Sequence, residues 1–231
     1  MIKNKEIYKR GLIFIICFVY AIVSLQAQHS RKVDSLDRPS NFYDKVAQFK
    51  MFPNSTDDIV FLGNSITAGT EWNELLNVDN AVNRGISGDM TFGVLERLDE
   101  VTEGRPAKVF ILIGINDLSR NIPDSIILRN YRKIIDRIVQ ESPSTEIYVQ
   151  TLLPVNDTFN RFVNHYDKAS NILNINRVLR KIAKQKNVEL IDLYPHFLDD
   201  KGRLDVQYTN DGLHLTAQGY ALWARLLRPY L

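Results

Sequence analysis

Five short apolar runs separated by stretches of helical period constrain the fold of this chain more than any other feature. Asp58–Leu62 ends at Gly63, Asp79–Asn83 is weaker, Lys108–Ile113 is the strongest and ends at Gly114, Glu146–Leu153 is stopped by Pro154, and Val188–Leu193 is stopped by Pro195. Runs that are apolar on both faces and β-branched fit strands covered on both sides, as in a parallel sheet. Between them, Ile127, Tyr131, Ile134 and Ile138 recur at helical spacing, after Pro123 and Asp124 as start signals, and Ile172, Ile175, Leu179 and Ile182 do the same. Thr216 to Leu227 reads as a closing helix with Ala217, Tyr220, Ala221, Ala224 and Leu227 on one face. Strands alternating with helices of this length give βαβ units, hence a three-layer α/β domain. No repeat, low-complexity tract or Gly/Ser linker interrupts residues 28 to 231, so one domain is expected there, with residues 28 to 40 as a loose lead-in.

The first segment reads as an address. Gly11 to Leu25 is almost wholly apolar and follows Lys3, Lys5, Lys9 and Arg10. A span needs about 20 apolar residues, and a shorter run behind basic residues is the build of a secretory signal peptide. Cleavage is expected after Ala27, with Leu25 a large residue for the −3 position and a retained anchor as the alternative. The folded part is then exported, periplasmic or extracellular. Of 29 basic and 27 acidic residues, four and one lie in the first 27, so the remainder carries 25 against 26. That balance argues against a nucleic-acid-binding surface. Cys17 is the sole cysteine, so the chain beyond it has no disulfide, thiolate nucleophile or cysteine metal ligand.

In open parallel sheets, ligands bind beyond the carboxyl ends of the strands, where strand order reverses. Gly63-Asn64-Ser65-Ile66-Thr67 follows the first run, and Ser65 there is either an exposed hydroxyl at a helix N-terminus or, like Thr67, a helix cap. Asn83-Arg84-Gly85-Ile86-Ser87-Gly88-Asp89 follows the second, either a loop that brings backbone N–H groups to a bound group or an ordinary connection. Gly114-Ile115-Asn116-Asp117 follows the third, with Asn116 as a side-chain donor or an Asx turn. Asp211-Gly212-Leu213-His214 precedes the last helix, and residues three apart in a helical turn let Asp211 reach the His214 ring and fix its tautomer. Together these segments supply a nucleophile, oxyanion donors and an oriented base.

These motifs resemble the GDSL-type esterases of the SGNH hydrolase superfamily, from about Asp58 to the last helix. The resemblance implies that Ser65 is the nucleophile, that Gly88 and Asn116 join the Ser65 N–H as oxyanion donors, and that Asp211 and His214 complete a triad. Asn64 departs from the family's more usual aspartate, and Ile66-Thr67 from its usual leucine. Val60-Phe-Leu-Gly63, Leu153-Pro-Val-Asn156 and Asp211-Gly-Leu-His-Leu215 are similar to the subgroup holding platelet-activating-factor acetylhydrolase catalytic subunits and bacterial carbohydrate O-acetylesterases. A flavodoxin-like five-stranded sheet of order 2-1-3-4-5 is implied. So is hydrolysis of short acyl esters, with O-acetyl groups on carbohydrate such as sialic acid or polysaccharide the favoured substrate and no metal or cofactor. The alternatives are a lysophospholipase or thioesterase for longer chains, or an inactive glycan-binding module. Arg84, Asp89 and His165 are candidate substrate contacts, with a structural ion pair the equal alternative for the first two. His196 reads as loop packing.

Overall fold

The computed structural model describes residues 37–231, so the segment expected to be a signal peptide and the lead-in up to residue 36 lie outside the described residues. A compact unit runs from Arg38 to Leu231. Helix α1 (Phe42–Met51) precedes strand β1 (Ile59–Gly63), and short helices α2 (Ser65–Ala68) and α3 (Trp72–Leu76) lead to β2 (Ala81–Gly85). Helices α4 (Thr91–Glu96) and α5 (Asp99–Thr102) precede β3 (Lys108–Leu112), and α6 (Ile115–Ser119) and the long α7 (Asp124–Glu141) precede β4 (Glu146–Gln150). A 3-10 turn (Asp157–Phe159), α8 (Val163–Tyr166) and α9 (Ala169–Lys186) lead to β5 (Glu189–Ile191). Another 3-10 turn (Tyr194–Phe197), α10 (Ala217–Leu227) and a last 3-10 turn (Arg228–Tyr230) close the chain.

All five strands are parallel, in the order β2-β1-β3-β4-β5 that the family resemblance implies. Every residue of β1 is buried, which is the physical content of a run apolar on both faces. On one face, register pairs Phe61 with Phe110 and Phe110 with Tyr148, and their rings stack at 5.0 and 4.5 Å. Trp72 of α3 stacks on Phe61 at 4.0 Å, and Trp223 of α10 meets Trp72 edge-on at 4.8 Å. Alternate residues point the other way, and α7 packs between α4 and α9. The periodic residues Ile127, Tyr131, Ile134, Ile138, Ile172, Ile175, Leu179 and Ile182 are all fully buried.

Two local readings differ. Ala217 and Ala221 of α10 are exposed, and the buried face is instead Gly219, Tyr220, Leu222, Trp223, Ala224 and Leu227. Burying one indole and a phenol removes far more apolar surface than burying two alanine methyls, so the aromatic pair sets the rotation of the helix. The fourth run extends to Leu153, yet β4 stops at Gln150. Asn176 explains it: its Oδ1 accepts the Leu152 N–H at 2.8 Å and its Nδ2 donates to the Leu152 carbonyl at 2.9 Å. A buried amide thus replaces the next strand partner, and the chain can leave the sheet with its backbone satisfied.

Candidate active site

β1 and β3 are neighbours, with Gly63 opposite Leu112, so the loops that follow them open side by side. Ser65 is the first residue of α2. The helix cap is Asn64, whose Oδ1 accepts the Ile66 N–H at 3.0 Å, rather than Ser65 or Thr67. The Ser65 hydroxyl instead lies 2.9 Å from His214 Nε2. His214 Nδ1 lies 2.8 Å from Asp211 Oδ2. The Asp211–His214 segment is an irregular turn, not a helical one. Asp211 Oδ1 accepts the backbone N–H groups of Leu213 and His214 at 2.9 and 2.8 Å, and these bonds, not helical periodicity, bring the carboxylate under the ring. Burial works against the Asp211 charge, but the backbone and ring of His214 and the Leu213 N–H outweigh it and hold the carboxyl below the usual range.

Gly212 makes this turn possible. Its φ is +82°, and a Cβ there would stand 2.1 Å from the Asn156 carbonyl oxygen. Asn156 in turn donates its backbone N–H to the Gly212 carbonyl at 2.9 Å. Gly88 also has a positive φ, +80°, in a turn closed by the Asp89 N–H on the Ile86 carbonyl at 3.0 Å. Asn116 lies in α6 immediately after β3 and Gly114, and its Nδ2 donates to the Asp89 carbonyl at 2.9 Å. This bond ties the Asn116 loop to the Gly88 loop. A hydroxyl, an imidazole and a carboxylate stand in one hydrogen-bonded line, a geometry able to polarise a serine hydroxyl.

The profile of the GDSL-like lipase/acylhydrolase family matches residues 61–222. The chain belongs to that family. It is a hydrolase acting on ester bonds, and the match runs from within β1 to within α10, taking in the Ser65, Gly88 and Asn116 loops and the Asp211–His214 turn. This acylhydrolase is 28% identical over 170 residues to platelet-activating factor acetylhydrolase IB subunit alpha2 of Rattus norvegicus, covering 71% of each chain. Among solved structures, a chain from Streptococcus pneumonia provisionally named a platelet activating factor superposes with a TM-score of 0.75 at 28% identity, over 90% of this chain and 98% of that one. An acetyl xylan esterase shares the fold at a TM-score of 0.65 and 21% identity, over 75% of this chain and 99% of that one.

Two candidate contacts of the acylhydrolase lie elsewhere. Arg84 and Asp89 are 4% and 0% exposed and belong to a buried ion-pair network, so neither offers a group to a ligand. Arg84 Nε bonds Glu100 at 3.1 Å, and Arg97 bonds Asp89 at 3.0 Å and Glu100 at 2.9 Å. Arg97 also donates to the Gly63 and Arg84 carbonyls at 3.2 and 2.8 Å, pinning the ends of β1 and β2 under the Gly88 loop. Burial pushes both carboxyls upward and the arginines pull them back. Sequence reading missed Arg97 and Glu100 because one pair of charges at i and i+3 looks like any solvated helix face.

His165, the third candidate, lies beside the site, its Nε2 3.2 Å from Asn116 Oδ1. Phe162 and Tyr166 were not singled out, yet Phe162 meets the His214 ring edge-on at 5.1 Å and Tyr166 donates its hydroxyl to the Asp211 carbonyl at 2.6 Å. Aromatics standing in an otherwise polar connection were the available signal. His196 is exposed rather than packed, next to a buried Phe197. Among the described residues no cluster of three or more His, Cys, Asp or Glu could hold a metal ion, and no helix is long and apolar enough to cross a membrane.

Proposed function

We propose that this acylhydrolase is a serine esterase that removes short acyl groups, acetyl above all, from carbohydrate esters. The carrying observation is the 2.9 Å contact between Ser65 Oγ and His214 Nε2, backed by the 2.8 Å contact from His214 Nδ1 to Asp211. His214 takes the Ser65 proton as the oxygen attacks the acyl carbon, and Asp211 stabilises the imidazolium that forms. The tetrahedral oxyanion is held by the N–H groups of Ser65 and Gly88 and by the Asn116 amide. His214 then returns the proton to the leaving alcohol, and a water activated by the same ring releases the acid from the acyl-enzyme.

A small acyl group is supported by the rat relative, which is named a platelet-activating factor acetylhydrolase. Export, proposed from residues 1–27, brings extracellular glycans within reach of the enzyme. Acetate release from a panel of acetylated glycans, alongside turnover of acetyl, butyryl and decanoyl esters, tests the reading. Turnover is expected to fall as the acyl chain lengthens, and a maximum at decanoyl overturns the acetyl preference in favour of a lysophospholipase or thioesterase.

A further inference from the structure

Asn116 is gripped from two sides, and the grip assigns its atoms. Only the amide nitrogen can donate to the Asp89 carbonyl, 2.9 Å away, so the oxygen faces His165 Nε2 at 3.2 Å. An amide oxygen accepts only, so Nε2 of His165 carries the proton. His165 Nδ1 is buried and has no hydrogen-bond partner. A bare ring nitrogen tolerates that setting better than a charged ring with an unpaired N–H. Burial, then the neighbouring His214, and also Lys168, hold His165 below the ordinary histidine range, with the Phe162 backbone opposing.

The same short segment braces the other half of the site. Tyr166 accepts the Arg161 and Phe162 N–H groups at 3.1 and 2.9 Å and donates to the Asp211 carbonyl. Phe162 stands edge-on to His165 at 5.8 Å and to His214 at 5.1 Å. We infer that His165 is a positioning residue: its Nε2–H holds Asn116 Oδ1, so that one Nδ2 hydrogen stays on Asp89 and the other is left for the substrate oxyanion. This role rests on the esterase reading above and replaces direct substrate contact for His165.

The test is steady-state hydrolysis of p-nitrophenyl acetate by the wild type, His165→Phe, His165→Gln, Asn116→Ala and the double variant His165→Phe/Asn116→Ala. His165→Phe is expected to lower kcat about 10- to 100-fold with KM unchanged, because it loosens a donor without removing it. His165→Gln, which keeps an N–H donor, is expected to recover most of the loss. The double variant is expected to be no slower than Asn116→Ala alone. A raised KM with intact kcat, or losses that multiply in the double variant, overturns the inference. If His165→Phe does not fold, nitrogen-15 NMR of the wild-type ring decides: the Nε2–H tautomer at neutral pH is expected, and the Nδ1–H tautomer overturns it. Fluorophosphonate labelling of Ser65 in the wild type separates the two levels. Labelling and turnover indifferent to His165 sink this inference alone, whereas a wild type that neither labels nor hydrolyses esters sinks the esterase reading and this inference with it.

Discussion

Asn64 caps the helix that Ser65 begins, its side chain accepting the Ile66 N–H at 3.0 Å, and the Ser65 hydroxyl thereby stays free to meet His214. A serine at a helix start ordinarily turns its oxygen back onto the backbone. The residue before it removes that competition. Asn64→Ala is expected to cost about 1 kcal/mol of stability, the usual worth of a cap, and to lower kcat as the uncapped turn loosens the placement of Ser65. Thermal unfolding and p-nitrophenyl acetate turnover measure the two effects, and unchanged values for both contradict the capping role.

Loss of the proposed oxyanion amide leaves the rest of the machinery standing. Asn116→Ala is expected to reduce kcat by about 10²–10³, equivalent to about 3–4 kcal/mol, while Ser65→Ala abolishes acyl-enzyme formation. Burst kinetics with an activated acetyl ester distinguish the two. Wild-type turnover in purified Ser65→Ala would falsify the mechanism.

The turn carrying Asp211 and His214 depends on a missing side chain. Gly212→Ala is expected to cost at least about 1–2 kcal/mol through its positive φ alone, before the contact with the Asn156 carbonyl is relieved. Because relief must move the turn, activity falls further than stability predicts. Parallel urea titration and kinetics check this, and a fully active, equally stable variant rules it out.

Arg97 is fully buried between two carboxylates and two carbonyl groups. Arg97→Met is expected to destabilise the fold by about 3–5 kcal/mol, since it strands Asp89 and Glu100 without their partner. A chemical denaturation midpoint close to wild type is the contrary result.

Asp117 gives the fold a pH dependence of unusual sign. Burial raises its carboxyl to about 7 against the Thr91 hydrogen bonds that favour ionisation. Its folded pKa therefore lies above the unfolded value, so the native state binds more protons between about pH 4 and pH 7. Stability from this group is present below that window and declines as pH rises through it. Asp117→Asn is expected to flatten the decline, as measured by unfolding midpoints across the window.

The strands and the two long helices were legible because their signal is local. Val60 to Gly63 and Ile127 to Ile138 carry their burial pattern in consecutive residues, and the sheet and core reproduce it. Ser65, Asn116, Asp211 and His214 stood out because each follows a strand or precedes a helix in a recognisable motif; the structure joins Ser65, His214 and Asp211 in one hydrogen-bonded line and ties Asn116 to the loop that follows Gly88. For Arg84 and Asp89 the two readings stayed level, because a charged residue in a glycine-rich loop reads alike whether it faces a crevice or an internal partner, and the structure shows the ion-pair alternative. The partners, Glu100 for Arg84 and Arg97 for Asp89, belong to other elements and have no local mark.

The sequence by itself determined the alternation of strands and helices, the rotation of α7 and α9, and the types of chemical group placed at the strand ends. Tertiary structure alone decided which of those groups remain available: Asn64 capping α2, Arg97 absorbing Asp89, Trp223 turning α10, and His165 gripping Asn116. The division is physical. Apolar periodicity acts between near neighbours along the chain, whereas hydrogen-bond and charge satisfaction in a buried site is settled among residues far apart in sequence, whose meeting only the packed fold produces.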